Sequence, residues 1–191
     1  MWVAQLTRPI STQRLIIRRF ERRDLDDFAR ILEDESVNRY LYSVARTREQ
    51  SKELLEKRIS VPDATDVDNA VFVAIELRDT QRLIGDFMLR WHDDVHRQGE
   101  VGGSLHPEYH GQGHATEIYQ ALLELAFDEY DLHRVVGRCD GRNAASVRSL
   151  EKAGLHQEAH FVENEFVKGE WTDEIVLAIL QSDWRKSRDS R

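Results

Sequence analysis

The sequence predicts a mixed α/β fold, in which a sheet of mixed strand direction is flanked by helices. Strand-like segments both follow one another directly and alternate with helix-like segments, in the order β-α-α-β-β-β-α-β-α-β-β. The 191 residues contain no repeat, no low-complexity segment and no linker, and 40% are hydrophobic while 32% are charged, which is a globular composition. We therefore expect a single domain over residues 1–191.

The first part of the chain predicts one strand, two helices and a loop. Alternating side chains predict a strand over residues 15–20. Asp24 is expected to cap a helix whose apolar positions share one face, namely Leu25, Phe28, Ile31 and Leu32. A more polar helix is expected from about Thr47 to Ile59, and the polar residues 62–69 are expected to form a loop.

Three strands and a helix are expected next. Residues 70–77 are almost continuously apolar, as in a strand covered on both faces, and residues 83–91 form the return strand. A third strand over residues 100–105 is interrupted by Gly102-Gly103, which predicts a bulge or a close approach by another backbone or a ligand. The following helix begins near Gly113 and has a core-facing apolar side.

The remainder of the chain predicts three strands and one short helix. A strand is expected over residues 133–139, and Asn143 is expected to cap a helix that ends at Gly154. Two closing strands surround the turn Lys168-Gly169. The charged tail, residues 185–191, is expected to be frayed.

Composition narrows the possible partners and the compartment. The chain has 27 basic and 35 acidic side chains, a net charge of −8, which argues against a nucleic-acid-binding surface. The acidic balance is compatible with a cationic partner such as an amine. The N-terminus lacks a signal pattern and no apolar run approaches membrane-spanning length, so we expect a soluble cytoplasmic protein that uses no membrane.

Few residues suit a metal site or a disulfide. Cys139 is the only cysteine, so no intrachain disulfide can form, and we expect it to be a small buried hydrophobe. His92 and His96 lie in an Asp-rich segment whose spacing would permit a metal site, but a surface turn is the expectation there. No metal cofactor is expected.

Residues 106–116, here called the glycine loop, connect a strand to the next helix. Pro107 ends the strand, and Gly111 and Gly113 let the backbone turn sharply with its N–H groups facing one point. Free amides at a helix start, together with the helix dipole, form an anion site suited to a pyrophosphate. The loop is neither a P-loop nor the dinucleotide fingerprint. The alternative is a tight strand-to-helix turn that binds no ligand.

In this order of elements, the glycine loop resembles the acetyl-CoA loop of the GNAT (GCN5-related N-acetyltransferase) superfamily. That loop follows the pattern Arg/Gln-x-x-Gly-x-Gly/Ala at this junction. Gly113 and Ala115 match its last two fixed positions, whereas His110 stands where arginine or glutamine is usual. Since the family's loop binds phosphate mostly through backbone N–H groups, the departure at His110 leaves the match in place.

Further motifs resemble one branch of the superfamily, the ribosomal-protein N-terminal acetyltransferases of RimJ/RimL type. The similarity covers residues 11 to 184. The motifs are Thr12-Gln13-Arg14-Leu15-Ile16-Ile17-Arg18, Glu100-Val101-Gly102, Leu105-His106-Pro107, Leu132-His133-Arg134-Val135, Asn143-Ala144-Ala145-Ser146, Leu150-Glu151-Lys152-Ala153-Gly154-Leu155 and Gly169-Glu170-Trp171-Thr172-Asp173. The resemblance implies a twisted, mostly antiparallel sheet of about seven strands with about four helices. It also implies a splayed cofactor slot between the fourth and fifth strands, residues 100–105 and 133–139.

The resemblance also implies a cofactor, acetyl-CoA, which leaves as CoA, and assigns residues to its chemistry. A backbone N–H near Ser104 or Leu105 would polarise the acetyl carbonyl. Ser146 would protonate the departing thiolate, the alternative being that it only hydrogen-bonds the first helical turn. Glu165 would be the general base, with Glu163 as the alternative because strand alternation places both on one face. Four histidines are rival candidates, of which His114 and His133 look structural: His106, His110, His114 and His133. The other residues implied to hold the cofactor are His110, Gly111, Gln112, Gly113, His114, Ala115, Thr116, Asn143 and Lys152.

The function implied is direct transfer of an acetyl group to a primary amine. The acceptor stays open between a protein or peptide N-terminus and a small amine, and its site would be walled by the second helix, residues 61–69 and residues 92–98. The competing function is a catalytically silent CoA-binding module on the same fold. The exposed edge of the final strands would also allow a homodimer.

Overall fold

Eight strands and six α-helices are present within the described residues of the computed structural model, which are 6–60, 70–93 and 95–189. The strands are β1 Ile10–Ser11, β2 Leu15–Arg18, β3 Ala70–Leu77, β4 Leu83–Asp93, β5 Gln98–Leu105, β6 Arg134–Asp140, β7 His156–Val167 and β8 Glu170–Leu180. The helices are α1 Leu25–Glu33, α2 Glu35–Asn38, α3 Arg48–Ser60, α4 His114–Glu124, α5 Ala144–Ala153 and α6 Gln181–Asp189. The predicted loop over residues 62–69 lies outside the described residues, as does Asp94 in the predicted His92–His96 turn.

The predicted order of the larger elements is confirmed, and the fold is mixed α/β with mostly antiparallel strands. No helix within the described ranges combines the length and the apolar character needed to cross a bilayer. Two predictions about the ends of elements need correction, one in part and one in full, and both concern charged residues.

Asp24 occupies the N-cap position of α1, as predicted, but its side chain makes no capping hydrogen bond to that helix. Its carboxylate is buried and instead pairs with Arg18 at 2.7 Å, while Oδ2 accepts a hydrogen bond from the backbone N–H of Glu21 at 2.8 Å. The same guanidinium, Arg18, donates to Glu76 at 2.7 Å, and Arg23 pairs with Glu76 at 2.9 Å, so two cations face the two buried carboxylates. Because each charge has a close partner of opposite sign, the group can stay inside the core.

The C-terminal tail is helical as far as Asp189, whereas the sequence predicts fraying from residue 185. Trp184 is 7% exposed and its ring centroid lies 5.3 Å from that of Phe127. Arg188 adds an ion pair with Asp128 at 2.9 Å. One buried aromatic side chain therefore anchors a helix whose other residues are mostly polar.

The described residues group into two compact units. The first unit comprises Met1–Met88 and Gly103–His114, and the second comprises Leu89–Gly102 and Ala115–Arg191. Strands β4 and β5 each contribute residues to both. The prediction of one acetyltransferase domain over residues 1–191 stays a prediction.

In the first unit, β1, β2, β3 and β4 are neighbours in that order. β2 pairs antiparallel with β3, from Leu15 opposite Leu77 to Arg18 opposite Ala74. The amphipathic helix α1 buries Phe28 and Ile31 completely, within a cluster that also holds Phe20. At about 25 cal/mol per Å² of apolar area, such burial is the main contribution that holds α1 in place.

The irregularity predicted at Gly102-Gly103 of β5 can be traced to the close neighbours of Gly103. A Cβ atom at this position would lie 2.5 Å from the carbonyl oxygen of Asp86. A close approach by a neighbouring backbone, one of the three predicted causes, is therefore present at Gly103. The strand then continues to Leu105, and the N–H of His106 donates to the carbonyl of Ile84 at 2.9 Å.

In the second unit, β5, β6, β8 and β7 are neighbours in that order. β6 pairs antiparallel with β8 over its whole length, from Arg134 opposite Leu180 to Asp140 opposite Glu174. Its parallel register with β5 covers only three pairs, which end at Glu100 opposite Val136. A short register is compatible with the predicted splay of these two strands, and the cofactor slot stays a prediction.

Strand β7 is irregular between Phe161 and Glu165, where its register against β8 shifts. Glu163 has φ +49, a left-handed conformation that is uncommon outside glycine. The N–H of Glu163 donates to Oδ1 of Asp173 at 3.0 Å, which holds the irregularity. The regular alternation from which one shared face was predicted for Glu163 and Glu165 is therefore interrupted, and the shared face stays a prediction.

Candidate functional site

The first-unit part of the glycine loop, residues 106–114, is braced by its own side chains. Nδ1 of His106 accepts from the N–H of Glu108 at 3.4 Å and so caps the 3-10 turn Pro107–Tyr109. His110 lies close to the end of β5, with Nε2 2.9 Å from the carbonyl oxygen of Leu105. The residue that departs from the family pattern, His110, thus closes the strand-to-helix turn from within.

The backbone at Gly111 and Gly113 requires glycine. Their φ angles are +72° and +81°, in the left-handed region where a side chain is strained. A Cβ at Gly111 would have no neighbour within 4 Å, and one at Gly113 would lie 3.5 Å from Nη2 of Arg14. The turn therefore presents bare, exposed backbone immediately before α4. This is the form that a pyrophosphate site at a helix start needs, so the residues fit acetyl-CoA.

Arg14 is a site residue that the sequence analysis did not single out. Its Nη1 donates to the carbonyl of Gln112 at 2.7 Å, which holds the guanidinium against the exposed glycine turn. The side chain of Gln112 folds back and donates to the carbonyl of Glu108 at 2.9 Å. Arg14, Arg78, Glu108 and Gln112 are among the residues that line an adjoining cavity of about 560 Å³. In the sequence, a role for Arg14 was indicated by its place in the motif over residues 12–18.

The remaining residues of the glycine loop differ in what they can contribute. The side chain of His114 is 5% exposed and its ring centroid lies 6.5 Å from that of Tyr109, so only its backbone suits a ligand. In the second unit, Ala115 and Thr116 belong to the first turn of α4. Oγ1 of Thr116 lies 3.5 Å from the carbonyl of Ser149, which links α4 to α5.

The start of α5 brings together two of the predicted residues. Oδ1 of Asn143 accepts from the N–H of Ser146 at 3.1 Å, so Asn143 caps the helix as predicted. At the other end, Gly154 has φ +110 and its N–H donates to the carbonyls of Leu150 and Glu151, again as predicted. Lys152 is exposed on the last turn, where a role toward a phosphate stays a prediction.

The Ser146 hydroxyl has two buried polar neighbours, Cys139 and Tyr119. Sγ of Cys139 on β6 lies 3.2 Å from Oγ of Ser146, and the hydroxyl of Tyr119 on α4 hydrogen-bonds to the same serine. Tyr119 is 4% exposed and Cys139 is 8% exposed, while Ser146 is half-buried. Burial raises the pKa of the Tyr119 hydroxyl and the pKa of the Cys139 thiol, so both keep their protons at neutral pH.

The predicted base lies on the irregular strand β7. Glu165 is half-buried opposite Thr172, whereas Glu163 is exposed. Beside them, Nε2 of His160 lies 2.7 Å from Oδ2 of Asp173. The Glu163 N–H and His160 hold the pKa of Asp173 below its ordinary value, so this carboxylate stays ionised. Which carboxylate serves as base, if any does, stays a prediction.

The other predicted positions lie in the first unit. Ser104 and Leu105 are the last two residues of β5, half-buried and buried respectively.

Within the described residues, no three His, Cys, Asp or Glu side chains are grouped so that they could hold a metal ion.

Comparisons with known proteins agree on one family. A family model described as Acetyltransferase (GNAT) domain matches residues 14–156. The uncharacterized N-acetyltransferase YnaD of Bacillus subtilis is 33% identical over 175 residues, which is 92% of this chain and 98% of the relative.

Solved structures agree with the sequence relatives. An acetyltransferase (GNAT family) from Bacillus anthracis aligns with a TM-score of 0.81 at 27% identity, over 92% of this chain and 99% of that chain. Spermidine N-acetyltransferase from Vibrio cholerae, solved in complex with CoA and spermine, aligns with a TM-score of 0.76 at 24% identity. That alignment covers 91% of this chain and 99% of the other, and it shows a shared fold.

Proposed function

The chain belongs to the acetyltransferase (GNAT) family and is an acetyl-CoA-dependent N-acetyltransferase, and we propose that it transfers the acetyl group directly to a primary amine. The observation that supports this most is the exposed, positive-φ backbone at Gly111 and Gly113 directly before α4. Such a turn leaves its backbone N–H groups uncovered where a pyrophosphate would lie, and it needs glycine for its conformation.

The cofactor would be held mainly by backbone. N–H groups of residues 111–116 would bind the pyrophosphate, and the Arg14 guanidinium would add a charge-assisted contact from the side of Gly113. Asn143 would brace the start of α5. When bound, acetyl-CoA supplies an acetyl group activated as a thioester. A backbone N–H at Ser104 or Leu105 would donate to the acetyl oxygen and favour its developing negative charge.

Two proton transfers complete the proposed chemistry. Glu165, directly or through a water molecule, would take a proton from the amine so that its nitrogen can attack. Ser146 would donate a proton to the departing sulfur. The half-buried position of each group supports a role in which substrate displaces the remaining solvent.

The finer family assignment rests on the sequence motifs. We propose the RimJ/RimL-like branch from Asn143-Ala144-Ala145-Ser146 and the Leu150–Leu155 segment, whose cap and helix end have the predicted geometry. The acceptor is proposed only as a class, a protein or peptide N-terminus or a small amine. A relationship at the level of fold to a spermidine N-acetyltransferase supports a small amine, and the net charge of −8 is compatible with a cationic one.

The experiment combines binding with turnover. CoA and acetyl-CoA should raise the melting temperature, whereas ATP and NAD should not, because ligand that binds only the folded state stabilises it. Free thiol should then be released from acetyl-CoA in the presence of an amine, tested across peptides and small amines. Binding without thiol release from any of them would favour the silent CoA-binding module.

Gly113→Val tests the location of the binding site. A valine there would occupy the space beside Arg14, so CoA binding should be lost while the protein stays folded. The matched control is Gly169→Val, because Gly169 has a similar φ of +89 in the β7–β8 turn and has no neighbour within 4 Å of its Cβ position. CoA binding that survives Gly113→Val would contradict the assignment of the glycine loop.

A further inference from the structure

A polar cluster inside the second unit surrounds the hydroxyl of Ser146. Cys139 of β6 contributes a thiol at 3.2 Å, and Tyr119 of α4 contributes a phenolic hydroxyl. Both neighbours are buried, while Ser146 itself stays half-exposed at the start of α5. One side of the serine oxygen therefore faces two enclosed polar groups, and its other side faces outward.

The hydrogen-bonding capacity of these groups limits how their protons can be arranged. A serine hydroxyl has one proton to donate and two lone pairs that accept, whereas a thiol donates better than it accepts. Tyr119 and Cys139 both stay protonated, because burial disfavours their charged forms. If each donates to Ser146, both lone pairs of the serine oxygen are filled and its single proton has no inward acceptor.

We propose that Tyr119 and Cys139 are positioning residues, which fill both lone pairs of Ser146 Oγ and so direct its proton outward, toward the sulfur that leaves during acetyl transfer. The inference rests on the proposed function of Ser146 as the proton donor. Tyr119 lies on the core-facing side of α4, and Cys139 was expected to be only a small buried hydrophobe. Their side chains do pack in the core, and the same packing holds their donor atoms against one hydroxyl.

Acetyl transfer adds one proton to the sulfur and removes one proton from the amine nitrogen. Ser146 gives its proton to the sulfur as the carbon–sulfur bond breaks with its electron pair on sulfur, which leaves the free thiol of CoA. While Ser146 lacks that proton, the O–H of Tyr119 and the S–H of Cys139 stabilise the charge on Oγ. The amine nitrogen loses one proton to base or water as the carbon–nitrogen bond forms, and water returns one proton to Ser146.

Infrared spectroscopy tests the geometry without any need for activity. Cys139 is the only cysteine of the chain, so the S–H stretching band reports on this thiol alone. A donated hydrogen bond weakens the S–H bond and lowers its frequency. We expect Ser146→Ala to move the band to higher frequency and Tyr119→Phe to leave it nearly in place, while Cys139→Ala removes it and so assigns it. A band that does not move in Ser146→Ala overturns the proposal.

A double-mutant cycle tests the consequence for catalysis. Tyr119→Phe should lower kcat about fivefold, as expected for one hydrogen bond, without a change in the KM for acetyl-CoA. In a Ser146→Ala background the same substitution should have no further effect, because its route to the sulfur is already lost. Tyr130→Phe, which alters another buried tyrosine of the second unit, is the matched control and should leave kcat unchanged.

The outcomes separate this inference from the proposed function. An equal loss of kcat from Tyr119→Phe in both backgrounds, or no loss at all, would show that Tyr119 does not act through Ser146. Cys139→Ser should keep kcat near the wild-type value because it keeps a donor, whereas Cys139→Ala should lower it. A wild-type protein that acetylates no amine would contradict the proposed function, and the infrared band would still decide whether Cys139 donates to Ser146.

Discussion

At the scale of single residues, Glu163 and Glu165 form a natural pair for testing the base. They are two positions apart, but the register shift in β7 leaves Glu165 half-buried and Glu163 exposed with a left-handed backbone. Glu165→Gln should lower kcat about 100-fold, the usual size of a general-base contribution, and leave CoA affinity unchanged. Glu163→Gln has the same shape and charge change and should stay within about twofold of wild type.

Steady-state kinetics at saturating acetyl-CoA, with CoA affinity measured separately, distinguishes the two. A large loss in Glu163→Gln alone would transfer the role of base to that residue. Normal turnover in both variants would leave proton removal to water.

Features of the site that depend on residues close together in the sequence could be predicted, whereas features that depend on distant residues could not. Asn143 caps α5 through the N–H of Ser146, three residues away, and a contact of that range is visible as a motif. Tyr119 is 27 positions from Ser146 and lies on another helix, where its spacing predicts only burial. Arg14 contacts Gln112 across 98 positions. Contacts of that range depend on strand pairing, which no local pattern encodes.

At the scale of elements, the 3-10 turn at Pro107–Tyr109 should make the start of the glycine loop sensitive to pH. Burial and the nearby Arg30 cation lower the pKa of His106, although Asp34 and Glu108 oppose this and His110 adds to it. A lowered folded-state pKa means that the stability is present above the ordinary value of 6.5 and is lost as the pH falls through the folded-state pKa. The N–H of Glu108 then loses its acceptor, since a protonated Nδ1 can only donate.

We expect the free energy of unfolding to fall by at most about 1 kcal/mol between neutral pH and pH ~5 for this reason, the value of one helix cap. Urea unfolding at a series of pH values measures it. His106→Asn keeps a capping oxygen that does not titrate in this range, so the difference between variant and wild type isolates the histidine. Parallel pH profiles for the two proteins would mean that His106 contributes nothing to the pH dependence.

The boundaries of elements were predicted correctly where the side-chain periodicity is regular. The predictions failed where tertiary contacts determine the boundary. The long apolar strand β3 has the predicted bounds, and so does the end of α5 at Gly154. β7 keeps its predicted place, but its register against β8 shifts between Phe161 and Glu165, around the left-handed backbone of Glu163. α6 forms in a segment of predominantly charged residues because one tryptophan is buried.

At the scale of the whole molecule, the net charge of −8 should influence how cationic acceptors approach the protein. The excess of eight acidic side chains creates a negative potential around the protein, which raises the local concentration of cations and accelerates their association. Salt screens such potentials over a Debye length of about 8 Å at physiological ionic strength. Long-range attraction therefore scales with the charge of the acceptor, whereas contacts inside the acceptor site do not.

This difference predicts how salt should discriminate between acceptors. With acetyl-CoA held at saturation, the KM for a polyamine such as spermidine should rise several-fold between about 50 and 500 mM NaCl, because its cationic groups lose the attraction of the whole protein. The KM for a peptide whose only charge is its N-terminal amine should change much less. Steady-state kinetics with both acceptors at each salt concentration measures the effect, and potassium glutamate in place of NaCl controls for specific chloride effects. Equal salt dependence for the two acceptors would mean that net charge does not select the acceptor, and the choice would then lie with local contacts at the acceptor site.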